Sequence, residues 1–401
     1  MQKNANGKCY ELILNYNCNA RCGFCSQGDF DKSLNAPFAA IARNIYSAYR
    51  TGYRRLGLTG GEPLIRPDIL KIIALAKSVG FRFIRVQTNG IKLADPVFCR
   101  ALVQAGLTFC KFSLTTDNAA EHDALVGVPG ALKKALAGLE SLHKLKIRLG
   151  ANILVNRRNY ARLPEIIKSH LGRGITNFVV IYPVYTGAMA DNCKELGVRL
   201  SDCEPYFDEA VKVMETAGLP GEILFLNTPP CFLKGREKLA IGLDLFNTVV
   251  TDPAGGRTDL DANAEAARVK GPPCLSCALN EQCRGADVHY VKRFGWRGFV
   301  PVNKVRDGKK SAVRGGLYLS DNERCLVEIL RRKPGASTSE VLTLSKNIVL
   351  CRDCSDGNSV LTSAAGLVSK GLVKSSFARG TYRWSLCKPY AEIKNGFKIF
   401  S

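Results

Sequence analysis

Six stretches of this chain read as strands, and helix-like stretches fall between them; that alternation limits the fold more than any other property of the sequence. The strand-like runs lie at 10–14, 55–58, 81–87, 109–114, 149–155 and 177–182, and the helix-like runs at 38–50, 68–78, 95–105, 131–145 and 163–171. Strands separated by a helix pair in parallel, each connection crossing one face of the sheet. The pattern predicts an α/β fold, a partial (βα)6 barrel of the TIM type, over residues 1–185.

In such barrels active sites are assembled from the loops that follow the carboxyl ends of the strands, and the unusual residues here fall in those loops. The first expected strand leads into Cys18-Asn19-Ala20-Arg21-Cys22-Gly23-Phe24-Cys25, the second into Thr59-Gly60-Gly61-Glu62-Pro63, and the third into Thr88-Asn89-Gly90. Ser113-Leu114-Thr115-Thr116 ends the fourth, Asn156 follows the fifth, and Tyr182-Pro183 ends the sixth. Gly60 and Gly61 let backbone approach a ligand, Glu62 can pair with an ammonium group, and Pro63 fixes the turn.

Cys18, Cys22 and Cys25 place three thiols within eight residues, enough to hold three corners of an iron-sulfur cluster and leave one iron open to a reactive ligand. Zinc is the alternative, but structural zinc closes with four ligands, and the nearest fourth thiol, Cys9, opens an apolar strand. Residues 1–7 lack the apolar segment of a secretion signal, and no apolar run is long enough to cross a bilayer, so the expected location is the cytoplasm. Thiols stay reduced there, and the clustered members of the 16 cysteines read as metal ligands rather than disulfides.

The spacing Cys18-x3-Cys22-x-Phe24-Cys25 after the first strand, with Gly60-Gly61-Glu62-Pro63 after the second, resembles the signature of the radical S-adenosylmethionine (radical SAM) superfamily over residues 8–185. The resemblance implies a [4Fe-4S] cluster whose open iron binds the methionine moiety of S-adenosylmethionine. It implies an external one-electron donor such as a flavodoxin or ferredoxin, and a 5'-deoxyadenosyl radical that takes hydrogen from a substrate. It places Phe24 near the adenine, Gly60, Gly61 and Glu62 on the methionine ammonium, Ser113 on the ribose or carboxylate, and Tyr182 at the closure of the adenine pocket. Relatives continue the fourth strand as Ser-x-Asp-Gly, so only Ser113 carries over. Thr88 and Asn89 face the same mouth and are candidate substrate contacts.

A second region, residues 186–300, opens with a helix whose Ser201 and Glu204 have capping-box spacing. It then brings Cys231, Cys274, Cys277 and Cys283, separated by a polar stretch over 252–270. Four thiols can close around zinc or a second cluster. The segment resembles the SPASM or twitch extension of radical SAM enzymes that modify peptides or build the molybdenum-cofactor precursor. That resemblance favours one auxiliary [4Fe-4S] cluster, because the continuing cysteine position is Asp287.

A basic linker at 301–316 leads to residues 317–401, where capping-box pairs Ser320/Glu323 and Ser337/Glu340, a third helix near 360–369 and a hairpin about Arg379-Gly380 resemble a winged helix. Such a domain captures a peptide or sits on DNA, with Lys370, Lys374, Arg379 and Arg383 on phosphates. Cys351 and Cys354 form a further pair. The net charge of +22 admits an anionic partner. The expected substrate is a peptide or protein; a nucleic acid is the alternative, and a cluster-sensing DNA-binding regulator the third reading. A sensor has no use for a Gly-Gly-Glu-Pro loop beside an open iron.

Overall fold

The structure is a computed structural model that describes residues 8–243, 246–263, 267–303, 321–345, 357–369, 372–378 and 381–387. The chain divides into two compact units, Met1–Ser311 and Ala312–Ser401.

In the first unit β1 (Cys9–Ile13), β2 (Arg55–Thr59), β3 (Phe83–Thr88), β4 (Phe109–Ser113), β5 (Arg148–Leu154) and β6 (Asn177–Ile181) each pair in parallel with the next. The crossovers carry α1 (Phe38–Arg50), α2 (Ile69–Val79), α3 (Pro96–Ala105), α4 (Ala119–Val126), α5 (Ala131–Lys144) and α6 (Leu163–Leu171). The α/β class and the mostly parallel sheet agree with the sequence pattern. The short α4 is an addition to it: the Asn118 side chain caps its start by accepting from Glu121 N at 3.0 Å, and Gly127, at φ 68°, ends it.

Alternation along each strand sorts side chains onto two faces. Leu12, Leu58, Ile84, Phe112, Ala151 and Ile153 are buried in the main hydrophobic core. The other face is polar: Asn152 donates to Gln87 at 2.7 Å, Gln87 donates to Glu11 at 3.0 Å, and Arg85 pairs with Glu11. The core therefore lies between sheet and helices, and the inside of the barrel is left for polar groups.

The sheet is wider than six strands. After β6 come α7 (Ala188–Asp191), α8 (Cys193–Leu196), α9 (Leu200–Thr216), β7 (Ile223–Leu226), β8 (Thr248–Thr251) and β9 (Arg257–Asp259), giving a nine-stranded sheet in the order β7-β6-β5-β4-β3-β2-β1-β8-β9. An unpaired edge on β1 would leave a row of open backbone groups. β8 covers it in parallel, Cys9 opposite Thr248 through Leu12 opposite Thr251, with Tyr10 Oη and Thr251 Oγ1 2.7 Å apart. The polar stretch expected at 252–270 thus contains β9 and β10 (Arg268–Val269), which pairs with β11 (Ala286–Asp287).

The capping box expected at Ser201 and Glu204 does not form. α9 starts at Leu200 without a side-chain cap, so Ser201 lies inside the first turn and Glu204 pairs with Lys234 at 2.5 Å instead. α10 (Val288–Phe294) follows β11, and its Tyr290 shares the barrel's core, 5.7 Å from Tyr182 and 5.8 Å from Phe299 between ring centroids. Residues 186–303 are therefore continuous with the barrel. Among the described residues no helix is long and apolar enough to cross a membrane.

The second unit contains α11 (Asp321–Arg332), β12 (Ala336–Ser337), α12 (Thr338–Ser345), α13 (Gly357–Ser369), β13 (Val373–Ala378) and β14 (Thr381–Leu386). Its sheet runs β12-β14-β13 over a core that includes Leu326, Ile329, Ala364, Leu367 and Trp384. Here the capping box forms: Ser337 N donates to Glu340 Oε2 at 2.7 Å and Glu340 N donates to Ser337 Oγ at 3.3 Å. Ser320, Cys351, Cys354, Lys370, Arg379 and Gly380 lie outside the described residues.

Candidate active site

The three-cysteine loop follows β1 at the carboxyl end of the barrel and is held by hydrogen bonds from two other elements. Arg21 N and Gly23 N donate at 2.9 Å to Val126 O and Leu125 O at the end of α4, and Asn192 Nδ2 donates to Gly23 O at 2.9 Å. Past the last cysteine the loop meets the turn into α7 so closely that a Cβ on Gly28 would stand 2.8 Å from Ala188 N. The positions of the thiols are thus set by three loops at once.

Those thiols share one electrostatic environment. Burial, then the charges of Cys18 and Cys25, push the Cys22 thiol up to about 12; burial also raises Cys18, which feels Glu62 and Cys25. Cys18 Sγ accepts from Ala20 N at 3.4 Å and from Asn89 Nδ2 at 3.8 Å. Half-buried thiols whose ionisation is opposed, as at Cys18 and Cys22, suit a cationic centre, because metal ligation requires the thiolate. Among the described residues no three His, Cys, Asp or Glu side chains converge tightly enough for a single ion. A polynuclear cluster, which holds its thiolate corners apart, fits this donor set.

The second loop runs as a ladder beside the first. Gly61 N donates to Asn15 O and Glu62 N to Asn17 O, both at 2.8 Å, and Asn15 Nδ2 donates to Glu62 O at 3.2 Å. This contact accounts for the glycines: a Cβ would stand 2.5 Å from Asn15 O at Gly60, whose φ is +156°, and 2.2 Å from Asn17 O at Gly61. Pro63 opens the short 3-10 turn Pro63–Ile65.

Glu62 is fully buried, and its carboxylate accepts from Leu64 N at 3.0 Å, Thr88 Oγ1 at 2.8 Å and Asn89 N at 2.7 Å. Burial pushes it up to about 7 despite these donors. It ties the second loop to the third.

The other expected site residues divide by position. Ser113 is half-buried at the end of β4, in register with Asn152, and Phe24 is half-buried against the main core. Thr88 is committed to Glu62, and Asn89 reaches Cys18 Sγ and Asn19 Oδ1 rather than standing free for a substrate. Tyr182, expected at the adenine pocket, is 1% exposed: its hydroxyl lies 3.1 Å from Tyr185 Oη and donates to Val198 O, and its ring meets Tyr290. It packs beneath the rim because those partners draw it into the core. Thr115, left out of the expected set, is buried with Oγ1 unpartnered. Nothing in the sequence marks Asn15 or Asn192, ordinary loop asparagines whose value depends on distant backbone.

Cys231, Cys274, Cys277 and Cys283 meet elsewhere in the first unit. They line one small cavity of about 30 Å³ with Pro229, Pro230 and Phe299, and burial followed by the charges of Cys283, Cys277 and Cys274 pushes Cys231 up to about 12. Cys283 Sγ accepts from Gly285 N at 3.3 Å. Gly285 has φ +90°, and a Cβ there would stand 2.3 Å from Val269 O. Asp287, at the position where a further cysteine was considered, caps α10 by accepting from His289 N at 2.9 Å and Tyr290 N at 3.1 Å.

Residues 12–169 match the family described as Radical SAM superfamily. A probable GTP 3',8-cyclase of Sulfolobus acidocaldarius is 30% identical over 250 residues, covering 58% of this chain and 77% of that protein. An AdoMet-dependent heme synthase of Methanosarcina barkeri is 34% identical over 130 residues, but these are 32% of this chain and only 37% of the synthase. Among solved structures, SuiB of Streptococcus suis bound to precursor peptide SuiA superposes with a TM-score of 0.57 at 14% identity, over 74% of this chain and 75% of that one. At that identity the likeness is one of fold.

Proposed function

This chain belongs to the radical SAM superfamily and is an enzyme using a [4Fe-4S] cluster and S-adenosylmethionine, and from that premise we propose that it modifies a peptide or protein by hydrogen abstraction. Cys18, Cys22 and Cys25 are the residues that hold the cluster. When bound, the cluster supplies the electron that cleaves the sulfonium of S-adenosylmethionine to methionine and a 5'-deoxyadenosyl radical, the species that removes hydrogen from the substrate.

The chain's own residues position that chemistry. The ladder to residues 15–17 uses the amides of Gly61 and Glu62 and leaves the carbonyls of Gly60 and Gly61 to meet the methionine ammonium. Glu62 acts first as a brace between loops. Its carboxylate offers about four acceptor directions, of which the three donors described leave one for the ammonium. Ser113 lies at the level of the ribose or carboxylate, Phe24 flanks the adenine, and Asn89 holds the Cys18 sulfur. Tyr182 supports the rim from below.

Cys231, Cys274, Cys277 and Cys283 hold an auxiliary [4Fe-4S] cluster; a single zinc ion, the alternative occupant, would need the thiols to draw closer together than they stand. Four thiols close such a centre and leave no metal corner for a substrate. The second unit has the element order of a winged helix. The observation that carries the peptide reading is its edge strand β13, paired among the described residues on one side only, by β14, with Lys374, Ser375, Ser376 and Phe377 exposed. An extended peptide can add to such an edge. The peptide bound to the SuiB structure supports the same substrate class.

The test is anaerobic turnover of reconstituted protein with deuterated candidate peptides, particularly those encoded beside the enzyme. Deuterium in the 5'-deoxyadenosine, with a mass change in the peptide, is the expected result. A second reading, a purine nucleoside triphosphate substrate, is favoured by the Sulfolobus relative. Deuterium transferred from labelled GTP, and from no peptide, would replace the first reading with the second.

A further inference from the structure

Among the described residues, one charge inside the barrel has no ion-pair partner. Lys111, the middle residue of β4, stands in register with Gln87 on β3 and Gly150 on β5 and is 5% exposed. The charged groups that act on it are two guanidiniums, Arg85 and Arg148, and two carboxylates, Glu11 and Glu222. Each guanidinium already has its carboxylate: Arg85 pairs with Glu11, and Arg148 pairs with Glu222 at 2.9 Å.

The neutral acceptors are committed as well. Gln87 Oε1 accepts from Asn152 at 2.7 Å, Glu11 accepts additionally from Gln87, and Glu222 accepts from Asn177 at 2.9 Å. Among the described residues the ammonium is left with the ring of Phe109, 6.0 Å from Nζ to its centroid. Among the described residues, three cations thus face two carboxylates in a low-dielectric space. Burial, followed by the charge of Arg85, brings the lysine down to about 7, as expected for an ammonium lacking its anion.

Two residues of strand separate Lys111 from Ser113, about 7 Å of depth below the rim. We propose that Lys111 is the anchor of an anion subsite in the barrel lumen, where its ammonium grips an oxyanion, carboxylate or phosphate, carried by the substrate. The inference rests on the rim being where S-adenosylmethionine and substrate meet. It adds to that reading a substrate class: a molecule bearing an acidic group a short reach from the carbon that loses hydrogen.

The proposal is tested by calorimetry on the holoprotein at pH 8, saturated with S-adenosylmethionine so that the carboxylate of that cofactor is already placed. Sodium propionate and inorganic phosphate are the probes, each titrated in two buffers of different ionisation enthalpy. Binding of either anion recharges Lys111 and takes up a proton, so the heat is expected to depend on the buffer. Lys111→Met should weaken binding tenfold or more, whereas Lys111→Arg should keep the affinity and lose the buffer dependence. Preference for propionate assigns a carboxylate, and preference for phosphate assigns a phosphorylated substrate.

Equal affinity in wild type and Lys111→Met, or no binding of either anion, overturns the proposal. If Lys111→Met does not fold, the arginine variant decides: heat that depends on the buffer to the same extent as in wild type also overturns it. The measurement needs neither a reductant nor turnover, so its outcome is separate from whether any peptide proves to be a substrate.

Discussion

The first cysteine cluster takes three thiols from a single loop, whereas the second takes four from segments separated by the β8–β9 pair. The first is set by hydrogen bonds: α4, Asn192 at the end of α7 and the ladder at residues 15–17 each hold it, and it opens onto a polar lumen. The second is set by packing, in a cavity lined by prolines and Phe299. A site that must admit a ligand and later release its fragments has its accuracy built into hydrogen bonds at the rim. A centre that only needs to stay shut can rely on apolar walls.

Replacing one thiol in each cluster tests this contrast most severely. Cys22→Ala should abolish cleavage of S-adenosylmethionine and remove about four iron atoms per chain, measured by deoxyadenosine chromatography and iron assay. Cys277→Ala should remove the iron of the second centre and end substrate modification, while the electron paramagnetic resonance signal of the first cluster still shifts when S-adenosylmethionine is added. If the signal no longer shifts, the two clusters are not independent and the contrast fails.

Smaller changes sharpen it. Gly61→Ala drives a Cβ into the Asn17 carbonyl, and since overpacking costs about 1–3 kcal/mol, affinity for S-adenosylmethionine should fall roughly 10–100-fold in equilibrium binding. Glu62 holds its proton up to about 7 in the folded chain against an ordinary 4.5. Its contribution to stability is therefore full below about 4.5 and is lost as pH rises through about 7, a difference on the order of 3 kcal/mol. Denaturant titrations should show Glu62→Gln losing less stability than wild type between pH 5 and 8. Asn89→Ala removes one donor from Cys18 Sγ, about 1 kcal/mol or on the order of 40 mV for one electron, and should make the first cluster harder to reduce in a potentiometric titration.

The sequence showed most plainly what local chemistry determines. α1 and α6 begin and end where the apolar period places them, and the Ser337–Glu340 box forms because both partners lie within one turn. Tyr182 was misplaced because an aromatic at a strand end looks the same whether it faces a pocket or a buried neighbour such as Tyr290. Ser201 and Glu204 have the right spacing, but the helix starts two residues early, with Arg199 rather than Ser201 at the N-cap. β8 went unseen because a four-residue strand has too few alternations to register, and its identity depends on an edge far away in the chain. Lys111 was passed over for a related reason: in Phe109-Cys110-Lys111-Phe112-Ser113 the alternating position reads as solvent, and only barrel closure turns that face inward.

The pairing of β8 with β1 also bears on how the protein matures. The strand that carries the first cysteine loop keeps one bare flank until residues 248–251 have left the ribosome. Iron delivered to a nascent chain would therefore meet an unfinished seat, and cofactor assembly belongs after translation has passed the whole of the first unit's sheet.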